Sequence, residues 1–153
     1  MISALWLFYF HHLKAKILGV ALYSMMKDAE ELCDKLLKLD NSIRFVGIAN
    51  QMGRLVATRY RQGTEPLLTS EEVLGNAIKA TLRMKTREDY ESNLGRTIYT
   101  FALYEKVKRA SILLNDSRFA LLMVSFDVTA DHESIILSKI LPIMKQHRLI
   151  AVA

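Results

Sequence analysis

Apolar and charged residues alternate along residues 26–39 with the period of a helix. The apolar positions recur every three or four residues, and on the other face the acids come early and the lysines late, as the helix dipole favours. A turn cluster at residues 40–42 ends this predicted helix. Two β-rich runs follow, residues 43–50 and 53–60, and their short connector predicts an antiparallel hairpin. The second run alternates only in part, which favours a strand at a sheet edge.

A second helix is predicted from Thr69 to about Met84. Thr69 and Glu72 match the capping box, in which each side chain accepts a hydrogen bond from the other residue's backbone amide. Before this helix, residues 61–68 contain Gly63 and Pro66 and predict a loop. After it, residues 85–95 are highly charged without apolar periodicity, and we interpret them as a long exposed connection.

Three further β-rich runs follow in close order at residues 97–104, 107–115 and 119–127. Their connectors are too short for crossovers, so they predict an antiparallel meander. The last run is apolar on both faces and should be the most buried strand. A helix over residues 130–148 closes the chain, with Thr129 or Asp131 as its cap, and Pro142 should kink or split it near Leu141.

Residues 1–25 form an N-terminal extension with two short apolar runs, residues 4–10 and 17–23, and no acidic residue. Neither run approaches the roughly 18 to 20 residues that a membrane-spanning helix requires. Three interpretations stay open. The biological start is Met25 or Met26, the segment is a membrane-surface helix, or it extends the first helix. The residues that favour a membrane surface are Trp6, Phe8, Tyr9 and Phe10 beside Lys14 and Lys16.

The composition indicates one globular domain, because 153 residues with 51% apolar content can bury one sizeable core but not two. The single cysteine, Cys33, cannot form an internal disulfide, which favours the cytoplasm. A net charge of +5 permits a nucleic acid, an anionic membrane or an acidic protein as partner. Acids lie among the arginines, which argues against nucleic acid, and membrane contact is expected only through residues 1–25.

Sequence patterns of catalysis are missing from the chain. It has no phosphate-binding, dinucleotide-binding, nucleophile-elbow or zinc-protease motif. Asp131, His132 and Glu133 are adjacent on a predicted helix, so their side chains point about 100° apart and cannot converge. Cys33 lies on the inward side of its helix, where it serves as a small buried hydrophobe. We therefore expect no catalytic residue, no metal and no cofactor, and predict that the protein is not an enzyme.

The predicted element order is α, β, β, α, β, β, β, α. In the first hairpin Gly53 follows the turn and Val56 and Ala57 form an apolar-small pair, and with this hairpin the order resembles the roadblock/LC7 family over residues 26–148. The resemblance implies an α+β domain, residues 26–153, with a five-stranded antiparallel sheet in strand order 2-1-5-4-3. The chain is also similar to archaeal proteins, a likeness that implies no chemistry.

The roadblock/LC7 resemblance also implies a function. In that family, dimers form through the third strand and the second helix, and the partners are small GTPases or motor and scaffold subunits. We therefore predict a non-enzymatic interaction, scaffold or regulatory module that acts as a homodimer and binds a second protein, with regulation of a small GTPase as one option. The dimer-interface residues implied are Thr97, Tyr99, Phe101, Leu103, Leu74 and Ile78.

An alternative stays open because profilin-like, longin, PAS and GAF domains share much of this architecture. A PAS- or GAF-like sensor would hold a small molecule between the sheet and the second helix. The residues that would line its pocket are Phe45, Tyr99, Phe101 and Tyr104. A sensor needs a cavity of roughly several hundred cubic ångströms, whereas a scaffold domain is expected to be packed solid.

Overall fold

The computed structural model describes residues 4–151, except for the side chains of residues 4–6 and 8. The elements are α1 (Ala4–Leu37), β1 (Ile43–Ala49), β2 (Leu55–Tyr60), α2 (Ser70–Lys85), a 3₁₀ turn (Glu88–Tyr90), α3 (Glu91–Leu94), β3 (Tyr99–Leu103), β4 (Val107–Leu113), β5 (Leu121–Asp127) and a C-terminal helix. That helix consists of α4 (His132–Ile135), a π-helical turn (Ile136–Ile140) and α5 (Leu141–Gln146). The predicted element order and the α+β class are confirmed.

The five strands form one antiparallel sheet in the order β2-β1-β5-β4-β3. This is the predicted order, with β2 and β3 at the edges. β5 lies in the centre, and each of its residues from Leu121 to Phe126 is buried. The continuous apolar run of β5 follows from this position, because helices cover both faces of the sheet there.

Helices cover the two faces of the sheet unequally. One face packs against α1 and the C-terminal helix, and its core includes Leu36, Val46, Phe126 and Ile140. On the other face α2 lies alone over a smaller cluster that includes Phe45, Ala77, Met84 and Leu121. Because successive side chains of a strand point to opposite faces of the sheet, neighbouring residues of β1 and β5 pack into different cores.

Helix α1 is continuous from Ala4 and begins well before the predicted residue 26. Its buried side starts at Ala29, while every described side chain between residues 7 and 24 is exposed. The amphipathic pattern marked only the part that packs on the sheet, because the remainder has no core to face. Among the described residues no helix combines the length and apolarity needed to cross a membrane.

Two segments differ in detail from the sequence-based prediction, residues 85–95 and the C-terminal helix. Residues 85–95 are exposed but include the 3₁₀ turn and α3. Their acids stand at the start of each turn, where the helix dipole favours them, and Gly95 ends α3 with φ +76°. In the C-terminal helix the π-helical turn comes immediately before Pro142, whose ring cannot donate an amide hydrogen bond. Asp131 is the cap, and its Oδ1 accepts from Ser134 N at 3.2 Å.

Candidate interaction surface

Strand β3 leaves one backbone edge of the sheet open, since among the described residues it pairs with β4 alone. At its end, Tyr104 N donates to Val107 O of β4 at 2.9 Å. Bonding residues alternate in an antiparallel pair, so the amides of Tyr99, Phe101 and Leu103 point away from β4. The edge therefore presents a row of outward N–H and C=O groups that another strand can pair with.

The side chains of these three β3 residues lie on the face of the sheet that carries α1. Tyr99 packs against the core of that face. The Phe101 ring stacks on the imidazole of His132, with ring centroids 3.7 Å apart. Leu103 is 64% exposed. Thr97 precedes the strand and is half-buried.

Helix α2 starts with the predicted capping box. Thr69 Oγ1 accepts from Glu72 N at 3.2 Å, and Glu72 Oε2 accepts from Thr69 N at 2.8 Å. The apolar strip of α2, which we define as Leu74, Ile78 and Leu82, is exposed, with Leu82 at 59%. Residues four apart share one side of a helix, so the three side chains form a continuous apolar surface.

The β1–β2 turn holds one flank of α2 against the sheet. Gly53 has φ +75°, and a Cβ placed on it would lie 2.8 Å from Ile78 Cα. Lys85 Nζ donates to Gln51 O at 3.1 Å at the end of the helix. The strip therefore lies beside the β1–β2 turn, on the opposite face of the sheet from Phe101.

The six residues predicted for a dimer interface thus form two groups. Tyr99, Phe101 and Leu103, with Thr97 beside them, lie along β3 on the α1 face. Leu74 and Ile78 lie on α2 over the other face. The two groups therefore lie on opposite faces of the sheet.

A groove of about 840 Å³ opens on the other flank of α2. Its walls are the first half of α2, the loop of residues 64–68 and the β3–β4 turn. The sheet provides the floor, and the register aligns four floor residues across neighbouring strands. They are Tyr60 of β2, Phe45 of β1, Ser125 of β5 and Arg109 of β4.

The floor has an aromatic half and a polar half. The rings of Phe45 and Tyr60 are 4.8 Å apart between centroids and tilted by 54°. Ser125 is 9% exposed, and no hydrogen bond joins its hydroxyl to another described residue. Burial lowers the pKa of the half-buried Arg109 guanidinium, which hydrogen-bonds with Tyr104. The arrangement joins apolar surface to a half-buried cation.

An ion-pair cluster stands at one end of this groove. Asp127 Oδ2 accepts from Arg61 Nη1 at 2.6 Å, and Asp127 Oδ1 accepts from Arg44 Nη1 at 3.1 Å. These bonds, chiefly the one from Arg61, hold the pKa of Asp127 below its ordinary value. Arg44 also lines the groove and shares Asp127 with Arg61, so the three side chains together carry one net positive charge.

Comparison with solved structures identifies the fold. A protein described as MglB with tetrameric arrangement is 17% identical, and the match covers 82% of this chain and 93% of that one with a TM-score of 0.61. Myxococcus xanthus MglB is 16% identical over 79% of this chain and 92% of its own, with a TM-score of 0.60. A Roadblock/LC7 domain from Streptomyces avermitilis is 10% identical over 77% and 95%, with a TM-score of 0.57. The chain has the roadblock/LC7 fold.

The roadblock fold is supported by structure and not by sequence matching, since no protein-family model and no curated protein matches the chain. The predicted resemblance is confirmed at the level of the fold. Gly53, which carried part of that resemblance, is the residue that lets the β1–β2 turn approach α2 closely.

Within this fold, the residues proposed for a sensor pocket are divided between the two faces. Phe45 and Tyr104 line the groove beside α2. Tyr99 and Phe101 lie on the α1 face and take no part in it. Sequence reasoning did not place Arg109 and Ser125 in a pocket. The only local signal was Ser125 inside the apolar run of β5, because β4 contains Lys108 and Ser111 as well as Arg109.

Of the seven arginines around the first hairpin and after the second helix that suggested a nucleic-acid surface, Arg59, Arg61 and Arg96 form ion pairs within the described residues. Arg118, which was not among them, is paired as well. Arg59 pairs with Glu30 at 3.2 Å and with Asp34 at 2.9 Å. Arg118 pairs with Asp116 at 3.2 Å and with Asp28 at 3.0 Å. These pairs leave less unmatched positive charge for a phosphate backbone.

Proposed function

We propose that this roadblock domain is a non-enzymatic regulatory module that acts as a homodimer and binds a small GTPase. The observation that carries the proposal is the open edge of β3. Its outward amides need partners, and a second copy of the same strand supplies them without any change in the fold. Pairing of two such edges would join two five-stranded sheets into one.

The apolar strip of α2 supports self-association. Leu74, Ile78 and Leu82 expose adjoining apolar side chains on α2. The first turn of this helix carries two acids. Covering such surface contributes about 25 cal/mol per Å² of apolar area removed from water. The comparison protein described as MglB with tetrameric arrangement is itself an assembly, which makes self-association a reasonable expectation here.

The non-enzymatic part of the proposal is supported by the causes of the shifted pKa values. The hydrogen bond from Lys139 lowers the pKa of Asp40 to about 2. Arg61 lowers the pKa of Asp127 in the same way. Both shifts arise from ion pairs that join neighbouring elements, as structural ion pairs do.

A small GTPase is proposed as the partner because the roadblock resemblance implies that class.

We place the module in the cytoplasm, where Cys33 would stay a buried thiol. Burial raises the pKa of this thiol to about 12, so it has little thiolate to react.

Sedimentation equilibrium at tens of micromolar tests the homodimer. We expect a dimer for the wild type and a monomer for Phe101→Pro, which removes an outward amide without removing a bond to β4. Phe101→Ala is the matched control, since it shortens the side chain but keeps the amide. A wild-type monomer, or equal dimerisation of all three proteins, would rule out pairing through β3.

The partner is tested by GTP hydrolysis assays on small GTPases of the source organism, with and without this protein. We expect one of them to change its hydrolysis rate, and Ile78→Lys to weaken that effect through the altered strip. If none of these GTPases binds the protein or changes its rate in its presence, the GTPase part of the proposal fails while the homodimer can still hold.

A further inference from the structure

We propose that the groove beside α2 binds a small apolar monocarboxylic acid, with its carboxylate on Arg109 and its apolar body over Phe45 and Tyr60. This inference does not depend on the homodimer or on a GTPase. It rests on the charge, the shape and the walls of the groove.

Arg109 is the first reason. Among the described residues no carboxylate lies within ion-pair distance of its guanidinium, whereas Arg44, Arg59, Arg61 and Arg118 all have such partners. The other arginines without a carboxylate partner in the described range are exposed, while Arg109 is half-buried on the groove floor. A cation taken partly out of water is costly unless an anion compensates it. The groove gives that anion access.

Ser125 adds a second polar group at the same place. It lies opposite Arg109 in the register of β4 and β5 and also lines the groove. Its hydroxyl has no hydrogen-bond partner among the described residues. A carboxylate seated on Arg109 can accept a hydrogen bond from this hydroxyl as well, because each of its two oxygens is an acceptor.

The groove also has apolar residues in its floor and walls, and its size suits a small ligand. Phe45 and Tyr60 continue the floor, and Leu68, Val73 and Val107 stand in the walls. A volume of about 840 Å³ lies within the roughly 300–1,000 Å³ range of ligand pockets. Such a space favours an aromatic or branched aliphatic body that carries one charged end.

The charged residues that line the groove favour a ligand with one negative charge over a ligand with two. Besides Lys79 and Lys106, the groove is lined by four acids that outnumber these lysines by two, Glu65, Glu71, Glu72 and Glu105. Their charges oppose a phosphate dianion more strongly than a single carboxylate. We therefore expect a monocarboxylate to bind better than a phosphate monoester of the same body.

Isothermal titration calorimetry at pH 7 tests this assignment with 4-phenylbutyrate, 4-phenylbutanol and 4-phenylbutyl phosphate as probes. The full-length wild type should bind the acid about ten- to a hundredfold more tightly than the alcohol, the range that a hydrogen bond to a charged group supplies. It should also bind the acid more tightly than 4-phenylbutyl phosphate. Arg109→Gln should lose this preference, whereas Arg54→Gln, which removes an exposed arginine outside the groove, should keep it.

Thermal melts check that both variants fold, and amide chemical shifts of the wild type provide a readout that needs no variant. The acid should shift the amides of Asn76, Val107 and Ser125, which line the groove. Equal affinity for acid and alcohol, tighter binding of 4-phenylbutyl phosphate than of the acid, full retention of acid binding in Arg109→Gln, or no saturable binding of any probe would each overturn the proposal.

Discussion

The two faces of the sheet differ in how completely they are covered. The α1 face carries a continuous core that joins α1, four strands and the C-terminal helix, and Phe126 and Ile140 are fully buried in it. On the other face a single helix covers a smaller cluster and leaves a groove on one flank and an apolar strip on the other. The comparison indicates that stability comes mainly from the first face and that the second is available for binding.

The largest expected effect comes from removing one phenylalanine ring from each face. Phe126→Ala should lower the free energy of unfolding by about 3–5 kcal/mol, because it leaves a closed cavity. Phe45→Ala should cost less, about 2–3 kcal/mol, because its ring borders the groove and water can fill the space. Urea denaturation measures both values. Equal losses would contradict the difference between the faces.

Substitution of two glycines with similar φ tests how closely α2 packs against the β1–β2 turn. Gly53 and Gly63 have φ of +75° and +72°, but only at Gly53 would an added Cβ meet backbone, at Ile78 Cα. Gly63→Ala should cost about 1 kcal/mol from backbone strain and Gly53→Ala about 2–3 kcal/mol, since α2 must also shift. If thermal melts give the same loss for both, the close approach is not a constraint on α2.

The ion-pair cluster beside the groove predicts a pH dependence. Asp127 is about one-third exposed, so Asp127→Asn should cost only about 1 kcal/mol at pH 6–7. The pKa of Asp127 is lower in the folded protein, so its contribution is present above the unfolded pKa of about 3.9 and is lost as the pH falls through the folded value.

Urea denaturation of wild type and Asp127→Asn from pH 7 to pH 2.5 should therefore give curves that converge below about pH 4. Asp89→Asn, at an exposed acid without an ion pair in the described range, is the control and should match the wild type throughout. A difference between wild type and Asp127→Asn that grows toward acid pH would have the wrong sign.

The smallest expected effect concerns the N-terminal segment, where the predicted domain boundary lies. A chain of residues 25–153 keeps Met25, which packs against the core, and loses only residues upstream of it. Its free energy of unfolding should stay within about 0.5 kcal/mol of the full chain, because the described side chains between residues 7 and 24 are exposed. A loss above about 1 kcal/mol would make that segment part of the folded domain.

The sheet was predictable because its strands are short and closely spaced. The apolar residues on both faces of β5 predicted a central strand, and the incomplete alternation in β2 predicted an edge strand. The upstream extension of α1 was only one of three open interpretations, because amphipathic periodicity reports packing, and the exposed part of a helix has none. The π-helical turn was foreseen only as a break near Pro142, since its exact winding depends on what Ile136 and Ile140 pack against.

The sites were less predictable than the fold. The row of Phe45, Ser125 and Arg109 depends on pairing between strands far apart in sequence, and a one-residue change of register would send each side chain to the other face. For the same reason Tyr99 and Phe101 could not be assigned to a face in advance. Their strand was identified correctly, but the side of the sheet that they occupy follows from β4.

Residue-resolved amide hydrogen exchange across a dilution series tests the open edge of β3 most directly. If two copies pair through this edge, the amides of Tyr99, Phe101 and Leu103 should be protected at tens of micromolar and lose that protection on dilution. The amides of Thr100 and Ala102, which bond to β4, should stay protected throughout. Rapid exchange at Phe101 at every concentration would contradict the proposed homodimer.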